Sequence, residues 1–184
     1  MGHYIDIKVL PDPEFSFSVL MNELFAKLHR ALVEAGHGEI GVSFPQAQKT
    51  LGDTVRLHGS QSALQRLMAI AWLKSLTDYT CVTSITTVPD NCRYRVVKRV
   101  QAKSSVERMY RRSIKKGWLT TEEAETKINA GNEQQLKLPF VQIKSHSSGQ
   151  VFRLFIQHGK LLDSPVKGKF SAYGLSDEAT IHWF

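Results

Sequence analysis

Two hydrophobic periodicities alternate along residues 1–91, and their order constrains the fold more than any other feature of the chain. Tyr4-Ile5-Asp6-Ile7-Lys8-Val9 alternates apolar and polar side chains, the period of a strand with one buried face. Pro11 and Pro13 end it. From Phe17 to Ala35, apolar residues stand at 17, 20, 21, 24, 25, 28 and 32, the stripe of an amphipathic helix, and Gly36 and Gly38 stop it. Ile40 to Phe44 is a short apolar run read as a second strand, and Thr54 to His58 alternates again. A second helical pattern runs from Ser60 to about Leu76 through Leu64, Leu67, Met68, Ala71 and Trp72. Tyr79 to Val88 is β-branched and reads as a strand. Strand, helix, strand, strand, helix, strand predicts an α+β chain whose residues 1–91 form a ferredoxin-like βαββαβ domain. RNA-recognition modules share that order, but so do many unrelated functions, so it decides little about activity.

After Pro89-Asp90-Asn91 the character changes, and residues 92–184 read as a smaller α+β domain. Arg93 to Gln101 is basic, β-branched and extended. Ser104-x-x-Glu107 is a capping box, in which serine and glutamate each satisfy one orphan N–H at a helix start. It opens a helix that runs to Lys116 and stops at Gly117. Thr120-x-x-Glu123 opens a second, short helix to about Asn129. Val141 to Ile143 and Val151 to Gln157 flank Ser147-Ser148-Gly149 as a hairpin-like pair, and residues 170–184 read as short strands or loop.

Charge singles out one segment. The chain carries a formal +7, yet residues 93–118 alone hold ten Lys/Arg against the single acid Glu107. Residues 1–92 are net acidic and residues 119–184 are balanced. In the helix after Ser104, Arg108, Arg111, Arg112, Lys115 and Lys116 recur at i, i+3, i+4, i+7 and i+8, the spacing that normally carries an apolar stripe. Val106, Met109, Tyr110, Ser113 and Ile114 occupy a face offset by two residues, roughly 200° around the helix. The helix therefore packs with one stripe and presents five cations on the other. A solvated face usually mixes signs, because like charges at i, i+4 repel. A one-sign stripe in one segment is instead an electrostatic footprint for a polyanion. The major groove of A-form RNA is narrow and deep, so a helix enters it only where a stem ends or loops. An RNA partner would accordingly be a short hairpin. Arg99 and Gln101 lie just upstream, spaced to share one face of an extended segment, and these residue types pair with guanine and adenine.

Other classes are disfavoured. No apolar run approaches the roughly 18 residues of a membrane span, so no membrane partner is expected. Met-Gly-His-Tyr-Ile-Asp-Ile-Lys lacks an uninterrupted apolar stretch, and two lone cysteines, Cys81 and Cys92, fit a reducing cytosol. No Cys/His ligand spacing suggests a metal, and no cofactor is expected. Gly36-His37-Gly38-Glu39-Ile40-Gly41 spells GxGxxG, but a dinucleotide fingerprint follows a strand and opens a helix. This one does the reverse and reads as a turn. For chemistry, His29 sits at the border of the first helical stripe, and histidine exchanges protons near neutral pH. Lys144-Ser145-His146-Ser147-Ser148-Gly149 offers hydroxyl donors, and Phe152 could stack on a base pair.

The stretches HYIDIKVLPDPEF, LHRALV, IGVSFP, RVQAKS, SSGQVFRLFI, YGLS and the terminal WF together resemble the CRISPR-associated endoribonuclease family of subtype I-F systems, the Csy-type branch of the Cas six superfamily. The resemblance runs nearly end to end. It implies metal-independent cutting of each repeat at the 3′ base of its hairpin, a 2′,3′-cyclic phosphate product, and retention of the processed RNA. It also implies a chain that is monomeric alone and later joins the other subunits of the subtype's surveillance complex. His29 matches the family's catalytic histidine, Ser145 the serine holding the attacking ribose, and Tyr173 the tyrosine orienting the histidine. Ser147 matches a second site-lining serine, Arg99 and Gln101 the base-reading pair, and Phe152 the aromatic that caps the stem. The basic helix matches the family's arginine-rich groove helix. Lys115 and Lys116 stand where the family carries arginines, which keeps charge but loses the planar fork. Gly117 replaces a family histidine. A hairpin-binding subunit without catalysis and a DNA-binding regulator are the competing readings. His29 together with Ser145 favours the nuclease.

Overall fold

The computed structural model describes residues 1–101, 112–123, 137–144 and 149–184. Strand β1 (His3–Val9) buries Ile5, Ile7 and Val9 on one face, as the alternation requires. Helix α1 spans Phe17–Ala35 and buries Leu20, Met21, Leu24, Phe25, Leu28 and Leu32. Phe17 alone of the expected stripe is exposed. Strands β2 (Gly41–Ser43) and β3 (Thr54–Gly59) follow, then helix α2 (Gln61–Ala69). Ser60 caps α2 by accepting a hydrogen bond from the Ala63 N–H. The helix stops well short of Leu76, because Ala71 turns into the left-handed region at φ 53°. The chain resumes as a 3-10 helix, Lys74–Tyr79.

The strand expected over Tyr79–Val88 divides into β4 (Thr80–Val82) and β5 (Thr86–Thr87), both antiparallel to β1. Between them the Thr83 hydroxyl accepts from the Asp6 N–H while the Thr83 N–H donates to the Asp6 carbonyl, so a side chain replaces a backbone acceptor and the β4/β5 side of the ladder is interrupted there. The first sheet runs β2-β3-β1-β4, with β5 also on β1. The second contains β6 (Arg93–Val100), β7 (Phe140–Lys144), β8 (Val151–Leu162) and β9 (Thr180–Trp183) in the order β7-β8-β6-β9. Every strand pairing among the described residues is antiparallel, so the class is α+β as expected. No helix among the described residues is long and apolar enough to cross a membrane.

Residues 1–100 and 138–184 pack as one compact unit, and residues 101–137 form a second. The expected division at residues 91 and 92 separates the two sheets, whereas packing joins them around a shared core. Ile7, Leu57, Phe25 and Leu28 from the first half and Val97, Val141, Leu154, Ile156 and Ile181 from the second belong to one buried cluster. The edge strand β7 is held against α1, where the Asn22 side-chain carbonyl accepts from the Gln142 N–H at 2.8 Å. Arg56 ties the chain's end to the first sheet. Its guanidinium forms a two-pronged pair with Asp6 at 2.7 and 2.8 Å, donates to the Phe184 carbonyl and lies over the Phe184 ring.

Candidate active site

Helix α1 places Phe25 and His29 four residues apart, hence on neighbouring positions of one face. Phe25 is fully buried and His29 half-buried, so the imidazole emerges where the core ends. Facing it is a tight turn at residues 171–174. The Gly174 N–H donates to the Ser171 carbonyl, and the Ser171 N–H donates to the Leu175 carbonyl. Gly174 has φ 70°, and a Cβ there would lie 2.2 Å from Val42 Cγ2. Only glycine allows the turn to sit this close to β2. The Val42 N–H then donates to the Gly174 carbonyl, and the Phe170 N–H to the Gly38 carbonyl. The residues of GxGxxG are thus used as a turn and packing surface between α1 and β2, as expected.

The turn delivers two groups to His29. The Ala172 carbonyl lies 2.8 Å from His29 Nδ1. The Tyr173 ring stacks on the imidazole with centroids 4.2 Å apart and planes 16° apart. Phe25 lies parallel to Tyr173 at 6.4 Å. A carbonyl oxygen can only accept, so Nδ1 of the neutral imidazole carries the proton and Nε2 keeps a free lone pair. This arrangement suits a general base whose orientation is fixed by a bond and a stack.

Arg99, on β6, completes the cluster. Its guanidinium carbon lies 5.8 Å from the Tyr173 ring centre and 5.6 Å from that of Phe152. Its Nε is buried without a hydrogen-bond partner among the described residues. A buried donor on a cation is costly to leave unmet, so the place calls for an acceptor beyond the described residues. Phe152 pairs with Ile143 near the end of β7, and Lys144 with Val151. Ser145 follows Lys144 in sequence; Ser145 and Ser147 lie outside the described residues, as do Arg108 and Arg111. The structure therefore brings His29, Tyr173, Arg99 and Phe152 together. β6 ends at Val100, so its extended segment carries Arg99 but not Gln101, which is exposed and belongs to the second unit.

In that unit, residues 112–115 are helical. Arg112, Lys115 and Lys116 are exposed while Ile114 is half-buried, the two faces expected for this end of the basic helix. The helix closes as the sequence requires. The Trp118 N–H donates to the Ser113 carbonyl and the Gly117 N–H to the Ile114 carbonyl, with Gly117 at φ 72°. The second capping box also forms, with the Thr120 N–H on Glu123 Oε2 at 3.0 Å and the Glu123 N–H on Thr120 Oγ1 at 3.2 Å. Sequence reasoning missed Ala172 and Phe25 as parts of the site. Ala172 contributes a backbone oxygen, which no side-chain pattern announces.

Residues 4–184 match the model of the family described as CRISPR-associated protein (Cas_Csy4), and the chain belongs to that family. This bears out the resemblance read from its sequence. The chain is 56% identical over 184 residues to the CRISPR-associated endonuclease Cas6/Csy4 of Escherichia coli (strain UTI89 / UPEC), covering all of both chains. It is 45% identical over 187 residues to the protein of the same description from Pseudomonas aeruginosa (strain UCBPP-PA14), again covering 100% of each. Among solved structures, Thermus thermophilus Cse3 bound to an RNA representing a pre-cleavage complex matches at 14% identity and a TM-score of 0.37, covering 98% of this chain and 100% of that one.

Proposed function

We propose that this chain is a sequence- and structure-specific endoribonuclease that cleaves CRISPR precursor RNA at the 3′ base of the repeat hairpin and then retains the product. The names of its full-length bacterial relatives as endonucleases support the activity. The observation that carries the reading is the Ala172 carbonyl on His29 Nδ1, which leaves Nε2 as a positioned base. RNA supplies its own nucleophile. His29 Nε2 takes the proton of a 2′-hydroxyl, the oxygen attacks the adjacent phosphorus, and the bond from phosphorus to the 5′-oxygen breaks. The leaving oxygen takes up a proton, giving a 2′,3′-cyclic phosphate and a 5′-hydroxyl. No step calls for a metal or cofactor, because activation and attack are both supplied by the base and the substrate.

In this scheme Ser145 holds the attacking ribose, Ser147 lines the site and Tyr173 keeps the imidazole in place. Arg99 and Gln101 read bases, and Phe152 caps the stem. Arg108, Arg111, Arg112, Lys115 and Lys116 follow the phosphates of the groove. A ferredoxin-like first domain would thus carry the base and the second half of the chain the recognition. The protein would act in the bacterial cytoplasm, as a monomer until its RNA brings it to the other subunits of the subtype I-F complex. The test is incubation with the host's repeat RNA in excess chelator, followed by sequencing and chemical analysis of the ends. One cut at the stem base with a cyclic phosphate is expected. Tight binding with intact RNA would instead identify a hairpin-binding subunit without catalysis.

A further inference from the structure

Trp118 is 72% exposed, the most exposed of the large apolar side chains among the described residues. The turn that places it explains why. In this helix-closing motif the residue after the left-handed glycine usually packs its apolar side chain on the residue whose carbonyl its own N–H reaches. Here that residue is Ser113, a small polar side chain that cannot cover an indole. Leu119, the next apolar residue, is half-buried, so the chain turns Leu119 inward and leaves Trp118 out. The surroundings of the indole are cationic. Lys116 Nζ lies 4.6 Å from the ring centre, and Arg112 and Lys115 are exposed on the same short segment.

A wide aromatic face beside several cations matches one kind of ligand chemistry: a flat base attached to a phosphate. We propose that Trp118 is a nucleobase-stacking residue, taking an unpaired base of the bound RNA at the end of the cationic stripe while Lys116 pairs with a phosphate. Trp118 follows Lys116, the last cation of the segment, so on the groove reading the base it meets lies beyond the paired part of the stem. This assignment rests on the RNA reading above and adds a contact to it.

The test combines binding and fluorescence with the full chain. A repeat hairpin is prepared with each unpaired nucleotide in the loop and flanks replaced in turn by an abasic one. Trp118→Ala is expected to weaken binding of the intact hairpin by about tenfold or more, and Trp118→Phe to restore most of it. The abasic change at the stacked position should weaken wild type similarly and leave Trp118→Ala unaffected, which also separates loop from flank. Quenching of the indole, taken as the difference between wild type and Trp118→Phe, should accompany binding. Equal affinity of wild type and Trp118→Ala, in a protein that binds and cuts the hairpin, would overturn this assignment alone. A wild type that neither binds nor cuts the hairpin would overturn it together with the RNA reading.

Discussion

His29 and Tyr173 stack face to face, with ring centroids 4.2 Å apart and planes 16° apart. The contact joins α1 to a turn that begins after residue 170, more than a hundred residues later in the chain, and each partner also has an anchor of its own. His29 stands on a helix rooted in the core by Phe25 and Leu28, and Tyr173 on a turn locked by Gly174 against Val42. The stack holds the imidazole through the ring of Tyr173, not through its hydroxyl. Tyr173→Phe is therefore expected to retain cleavage within a few-fold. Tyr173→Ala should slow single-turnover cleavage by about ten- to hundredfold with hairpin affinity less affected, since misplacement of a reacting group costs rate before it costs binding.

The tautomer of His29 is a second point of test. The Ala172 carbonyl requires a proton on Nδ1, leaving Nε2 bare in the neutral ring. Nitrogen-15 NMR of the neutral ring in the free protein should show Nδ1 protonated. A predominantly Nε2-protonated ring would remove the base from the scheme.

Arg99 combines a buried Nε that has no partner among the described residues with a guanidinium 5.6 Å from the Phe152 and 5.8 Å from the Tyr173 ring centre. Its planar fork is what the place calls for, so Arg99→Lys should behave nearly as badly as Arg99→Ala. Each is expected to weaken hairpin binding by about ten- to hundredfold, the size of one lost two-pronged base contact. Full affinity in Arg99→Lys, measured by titration at fixed salt, would show that only charge matters there.

Three histidines away from the candidate site are expected to contribute to the acid stability. Burial lowers His58 most, with Arg56 and His182 adding to it; burial, with Arg95, brings His158 to about 4; burial also lowers His182. These rings are neutral in the fold, while the unfolded chain binds protons below about pH 6.5. Stability therefore falls as pH drops through 6.5, and the share due to His158 is fully lost once pH passes below about 4. For His158 alone, the loss between pH 7 and pH 5 is about 2 kcal/mol. His158→Gln keeps an acceptor for the Phe44 N–H and cannot titrate, so urea midpoints at the two pH values should converge relative to wild type. An undiminished pH dependence in that variant would contradict the assignment.

The fold was legible wherever local pattern and packing agree. The bounds of α1 follow from its stripe and the glycines after it, the C-terminal end of the basic helix follows from Gly117, and the second capping box from Thr120 and Glu123. Reading failed where one residue departs from a continuing pattern. Ala71 and Trp72 keep the helical period, yet the chain turns at Ala71, so α2 ends early. Thr83 is a good strand former, but its side chain takes a backbone donor of β1 and divides the strand. Within the site, composition and spacing could raise His29 as a proton carrier, and the family resemblance supplied its role. Nothing in the sequence could reveal Ala172, which acts through its main chain, or the stack of Phe25, Tyr173 and His29, whose members meet only in the folded chain.

The central claim is that His29 activates the RNA's own 2′-hydroxyl. The most direct measurement is single-turnover cleavage of the repeat hairpin by wild type and His29→Ala, alongside wild type on a hairpin with a 2′-deoxy nucleotide before the cut. Both changes should reduce the rate by a factor of about 1,000 or more, in the range of a lost general base or more, while hairpin binding stays within a few-fold. Cutting of the deoxy hairpin at the wild-type rate would contradict the claim outright.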